Sequence, residues 1–140
     1  LNTHGGNVSV IKSALRELGV LYGMEVSILN FPYAADLSER ERVYGIHANE
    51  VETSLMAAAT PGMVDLDAST CCWIGSIEDP KMLKPEFAAS TYAWKTLDVS
   101  RSGVMGNARA GAIEKGRVWI ERATEALVKR LVELTPLGNS

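Results

Sequence analysis

Apolar positions recur along this chain in three helical stripes, with short apolar runs and glycine turns between them. Val8, Ile11, Ala14, Leu15, Leu18 and Tyr22 repeat at helical spacing behind Asn7, a residue type suited to capping a helix start. Val26, Ile28, Leu29 and Phe31 form a compact apolar run closed by Pro32, the pattern of a mostly buried strand over Glu25 to Phe31. The charged stretch from Leu37 to Tyr44 reads as a surface loop or short turn. From Ala48 to about Thr60, Val51, Leu55, Ala58 and Ala59 share one helical face, and Pro61-Gly62 supplies the stop. Met63 to Leu66 fits a short strand, and residues 68 to 90, aperiodic and holding Gly75, Pro80 and Pro85, read as a long connection. An extended piece over Tyr92 to Val99 then leads into the glycine-punctuated turn from Ser102 to Asn107. A last amphipathic helix runs from about Ala108 to Leu134, with Ile113, Trp119, Ile120, Ala123, Leu127, Leu131 and Leu134 along one side.

Alternating strands and helices predict an α/β fold, a three-layer α/β/α sandwich with a mostly parallel sheet, in which ligands bind beyond the carboxyl ends of the strands. A chain of 140 residues suffices for one such core and not for two, so residues 1–140 are expected to be part of a single domain. Leu1 is not a Met, and residues 2–7 read as the exit of a strand, so a further N-terminal portion is expected. Fourteen basic residues against 17 acidic ones give a net charge of −3 with the signs interspersed, which argues against a nucleic-acid partner. The longest apolar stretches fall short of a membrane span and the start carries no secretory pattern, so a soluble, cytoplasmic protein is expected. Cys71 and Cys72 are adjacent, a spacing unsuited to a disulfide or a metal site, and are read as reduced thiols. Trp73 and Trp94 are first of all core residues, with an interface or a site wall as the other use.

The chain has two histidines, and both stand in turns at helix starts. In His4-Gly5-Gly6-Asn7 the glycines let the backbone approach a ligand while the imidazole leaves a strand end, although spacing alone serves a plain strand-to-helix turn equally well. His47, Glu50 and Glu52 gather at the start of the second helix, where acidic side chains also favour the helix dipole. The separation of His47 from Glu52 is not that of a zinc-protease motif.

Three motifs in order carry a resemblance to the creatininase family of amidohydrolases. Asn2-Thr3-His4-Gly5-Gly6-Asn7 resembles its Asn-Gly-His-Gly-Gly-Asn signature, and His47-Ala48-Asn49-Glu50-Val51-Glu52-Thr53-Ser54 resembles its His-Ala-Gly-Glu-x-Glu-Thr-Ser signature. Ser102 to Asn107, followed by Ala110 and Glu114-Lys115-Gly116, is similar to its closing turn and last helix.

The resemblance implies hydrolysis of an amide C–N bond, in a cyclic amide, a formamide or a related small molecule, through water activated by two divalent ions: zinc, manganese or iron. It makes His4 a metal ligand, Glu52 a second ligand or a carboxylate close to the metals and His47 the acid/base for the departing nitrogen, with Gly5, Gly6, Asn7 and Glu50 shaping the substrate site. It also implies a homo-oligomer, commonly a hexamer. Gly6 stands where creatinine-hydrolysing members carry a metal-binding Glu, and Val43 stands where those members place a Trp, so creatinine itself is not the expected substrate. The family's earlier ligands, a Glu-x-His and a bridging Asp, are not among these residues, so the expected alternative is a non-catalytic or complementing subunit of the same fold.

Overall fold

The computed structural model describes residues 1–32, 36–74, 80–83, 91 and 93–134. They fall into two compact units, one made of Leu1–Tyr33 and Arg122–Ser140, the other of Ala34–Glu121.

In the first unit Asn2 lies extended. It donates its N–H to Leu29 O at 2.7 Å and accepts from Phe31 N–H at 2.9 Å, so Asn2 and Asn30 form a parallel bridge. Between the two sides of that bridge the chain makes a 3₁₀ turn at Gly5–Asn7 and the helix α1, Val8–Tyr22. Asn7 does not cap α1 with its side chain, contrary to the sequence expectation, because it is already wound into the turn with helical dihedrals. Gly23, at φ 58°, ends the helix in the left-handed conformation that glycine tolerates without a Cβ penalty. The expected strand over residues 25–31 is reduced to the one bridge residue, Asn30.

The second unit opens with α2, Glu39–Tyr44, where a loop was expected. Ser38 Oγ caps it by accepting Glu41 N–H at 3.1 Å. The helix α3, Glu50–Ala59, follows the prediction, capped by Asn49, whose Oδ1 accepts Glu52 N–H at 3.0 Å. Residues 63–66 form bends rather than a strand, because Asp65 Oδ1 accepts the N–H groups of Asp67 and Ala68 and turns the chain. Within the expected long connection, β1 (Cys71–Cys72) and a 3₁₀ turn (Pro80–Leu83) are formed; residues 75–79 and 84–90 of it lie outside the described residues. The expected extended piece at 92–99 instead closes as α4, Thr96–Val99, with Asp98 Oδ2 accepting Lys95 N–H at 2.9 Å; Tyr92 lies outside the described residues.

Of the 102–107 turn, Gly106–Asn107 form β2, antiparallel to β1 with Cys71 opposite Asn107 and Cys72 opposite Gly106. This is the one sheet among the described residues. Neighbouring Cys71 and Cys72 point to opposite faces of a strand and are both free thiols. A 3₁₀ turn at Ala108–Ala110 precedes α5, Ile113–Leu134, so the last helix starts five residues later than the periodicity suggests. Residues of α5 up to Glu121 belong to this unit and the remainder to the first.

The core of the second unit is the buried cluster Ile74, Leu83 and Met105, with Ile46, Trp94 and Val99 packed on it. Trp94 is thus a core residue, and the Trp73 ring carries the Arg40 guanidinium 4.5 Å from its centroid. The start of α5 is locked to α3 by small residues and polar bridges. Ser54 Oγ donates to Glu50 O at 2.7 Å and accepts Ala112 N–H at 3.1 Å. Lys115 Nζ reaches Glu50 Oε1 at 2.6 Å and Ala110 O at 2.9 Å. A Cβ on Gly116 would come within 2.7 Å of the Ala58 Cβ and closer still to the Ser54 carbonyl. Gly116→Ala is therefore expected to cost about 1–3 kcal/mol in chemical denaturation by forcing the helices apart. Lys115→Met leaves the Glu50 carboxylate, 9% exposed, without its cation, for an expected loss of about 1–3 kcal/mol, and adding Glu50→Gln recovers most of it.

Candidate active site

The site is built where α2 hands over to α3. Tyr44 ends the first helix, Gly45 N–H closes on Glu41 O at 2.8 Å, and the chain then runs extended through Ile46 and His47. These two pair with Met105: Ile46 N–H and His47 N–H both donate to Met105 O, at 2.8 and 3.2 Å, and Met105 N–H donates to His47 O at 2.8 Å. Met105 is fully buried, so the backbone of His47 is fixed to the core while its side chain remains 43% exposed.

Beyond His47 the chain turns through Ala48, the one non-glycine at positive φ among the described residues (φ 47°). A left-handed alanine costs about 1–2 kcal/mol relative to ordinary backbone, and here α3 holds it in place. Ala48 N–H donates to Glu52 Oε2 at 2.6 Å, and Ala48 O accepts from Thr53 Oγ1 at 3.4 Å. The same Glu52 oxygen lies 3.6 Å from His47 Nδ1. Glu52 thus does two things at once: it caps the helix start and places a carboxylate against one face of the histidine. With the side chains 43% and 29% exposed, the pair is open to a ligand.

Glu50, the other acidic residue of this turn, is buried and faces Lys115. Its N–H is held by Glu41 Oε1 at 2.8 Å, and the second oxygen of that carboxylate accepts Asn107 N–H at 3.0 Å. Glu41 is 1% exposed. Sequence reasoning missed it by assigning residues 37–44 to the surface, although Ser38-Glu39-Arg40-Glu41 has the Ser-x-x-Glu spacing of a helix-start capping box. Lys115, also missed, offered no such local signal, since its partner is 65 residues away.

His4 belongs to the first unit. Its N–H donates to Asn2 Oδ1 at 3.3 Å, and its ring folds back over the turn, so that a Cβ on Gly6 would sit 3.0 Å from Nε2. The bare Gly6 is therefore what gives the imidazole its place, and Gly5 and Asn7 complete the exposed turn beneath it.

Among the described residues no three or more His, Cys, Asp or Glu side chains gather as a metal cluster. A divalent ion bound to protein asks for about three or four ligands, and a pair of ions for more. The His47–Glu52 pair, with one carboxylate oxygen already engaged by Ala48 N–H, does not by itself fit a two-metal centre. Nor does any helix among the described residues have the length and apolar content to cross a membrane.

Against known proteins, the model of one family, described as Creatininase: Creatinine amidohydrolase, matches residues 1–131. No curated protein and no solved structure matches the chain. The match takes in both histidine turns, the Glu41 bracket and most of α5, and members of this family are α/β proteins and generally metal-dependent. The chain belongs to the creatininase family.

Proposed function

We propose that this protein is an amidohydrolase that cleaves the C–N bond of a small amide, cyclic amide or formamide, and that this chain supplies the proton-transferring side of its site. The family match over residues 1–131 carries the proposal. The contact of His47 with Glu52 supports it, because the chemistry has a place for such a pair. In amide hydrolysis water adds to the carbonyl carbon, the C–N bond breaks, and the nitrogen leaves with a proton it did not have before. Imidazole is the side chain most often used for that transfer, typically worth about 10²–10⁴ in rate. A carboxylate beside one ring nitrogen fixes the ring and leaves the other nitrogen to face the substrate.

Two divalent ions, zinc, manganese or iron, belong to the proposed chemistry, with His4 and Glu52 each proposed as a ligand on the strength of its own family motif and the other donors coming from outside the described residues. The same proposal takes the parallel bridge of Asn2 with Asn30 as a remnant of a mostly parallel sheet in a three-layer sandwich, and the protein as a homo-oligomer. A second reading, a non-catalytic or complementing subunit, is favoured by the lack of a three-donor cluster among the described residues.

The test is hydrolysis of a panel of small linear and cyclic amides, followed as new carboxylate and amine groups, with zinc or manganese supplied in excess. The hydrolase reading expects turnover that falls about 10²–10⁴-fold in His47→Asn, with an unchanged melting temperature. A folded wild-type chain that hydrolyses no amide, linear or cyclic, with either metal, would instead support the complementing subunit.

A further inference from the structure

The stretch from Glu41 to Glu50 is a closed loop, and His47 stands on it. Glu41 Oε1 ties the loop shut by accepting Glu50 N–H, nine residues along the chain. Its other oxygen accepts Asn107 N–H, 66 residues along, two positions after the Met105 that pairs with His47. One carboxylate therefore holds both rails of the His47–Met105 bridge, the His47 side through the first residue of α3 and the Met105 side through β2. The fit around it is close. A Cβ on Gly45 would lie 2.8 Å from Glu41 Oε1, and one on Gly106 would lie 3.0 Å from the same oxygen and 2.7 Å from the Asn49 Cβ. Asn49 caps the helix whose Glu52 faces His47, so the Glu41 carboxylate holds the first residue of that helix next to its cap.

We infer that Glu41 is a positioning residue for His47: its buried carboxylate, hydrogen-bonded to the backbone of Glu50 and Asn107, sets the distance and angle between the His47 imidazole and the Glu52 carboxylate. The inference rests on the proposed proton transfer by His47 for its catalytic consequence, but its geometry can be read without any turnover. Glu41→Gln keeps the shape of the side chain and turns one acceptor into an NH₂ group, so one of the two amides loses its partner.

The experiment compares wild type, Glu41→Gln and Gly116→Ala, the last being a variant that loosens the α3–α5 contact away from this bracket. The imidazole ring signals in the proton NMR spectrum of the full chain are simple to assign, because the sequence holds two histidines and His4→Asn and His47→Asn identify them. In Glu41→Gln the His47 ring signals are expected to move or broaden while those of His4 stay in place. On an amide that the wild type hydrolyses, kcat is expected to fall by up to about 100-fold with KM little changed, while Gly116→Ala at matched folded fraction keeps its kcat. If Glu41→Gln does not fold, Glu41→Asp, too short to reach both amides, is read in the same two ways. Superimposable His47 signals in wild type and variant, or a loss of kcat no larger than that of Gly116→Ala, would overturn the inference. If the wild type hydrolyses no amide, the hydrolase reading fails separately and the ring signals alone decide the role of Glu41.

Discussion

A carboxylate taken out of water has to find hydrogen-bond donors for its oxygens, and Glu41 finds them in two backbone amides, those of Glu50 and Asn107, on the two sides of the His47–Met105 bridge. Leaving both amides without an acceptor would cost about 1–3 kcal/mol each, which makes this bracket a strong local constraint. Its consequences spread outward. The loop between α2 and α3 is closed by it, a Cβ on Gly45 would meet the Glu41 carbonyl and carboxylate and one on Gly106 would meet the Asn49 Cβ and the same carboxylate, and β2 is pinned alongside the start of α3. Met105, one residue before β2, can then pair with His47 from the floor of the core.

On that floor sits a turn whose polar groups work in pairs. Asn49 caps α3 by accepting Glu52 N–H, and Glu52 returns to accept Ala48 N–H, which sustains the left-handed Ala48 and brings the same carboxylate to His47. Helix capping and site geometry are here one set of hydrogen bonds. Glu50, adjacent in sequence, is turned the other way and serves packing through Lys115, so two acidic residues of one helix turn have separate duties.

Local signals in the sequence were sufficient for α1, α3 and α5, because each has an apolar stripe at helical spacing and a glycine, proline or asparagine at one end. They were insufficient where polar side chains redirect the backbone. Asp65 and Asp98 bend stretches whose hydrophobicity suggests strands, and Ser38 starts a helix in a stretch whose charge suggests a loop. The histidine turns were legible as motifs, but spacing alone left their purpose open, and the family match resolves that purpose only as far as the family. The pairing of His47 with Glu52 follows from Ala48 taking an unusual backbone conformation; Glu41 had a local signal in its Ser-x-x-Glu spacing but its link to Asn107 had none, and Lys115 had none because its partner is 65 residues away.

The proposed amidohydrolase site has, among the described residues, a well-held histidine and carboxylate and too few donors to hold two ions. Elemental analysis of the purified 140-residue chain after equilibration with zinc or manganese and removal of loosely bound metal tests this most directly. Fewer than two retained ions per protomer is the predicted result; two tightly retained ions on these residues alone, lost in both His4→Ala and Glu52→Ala, would contradict it and make the site complete in this chain.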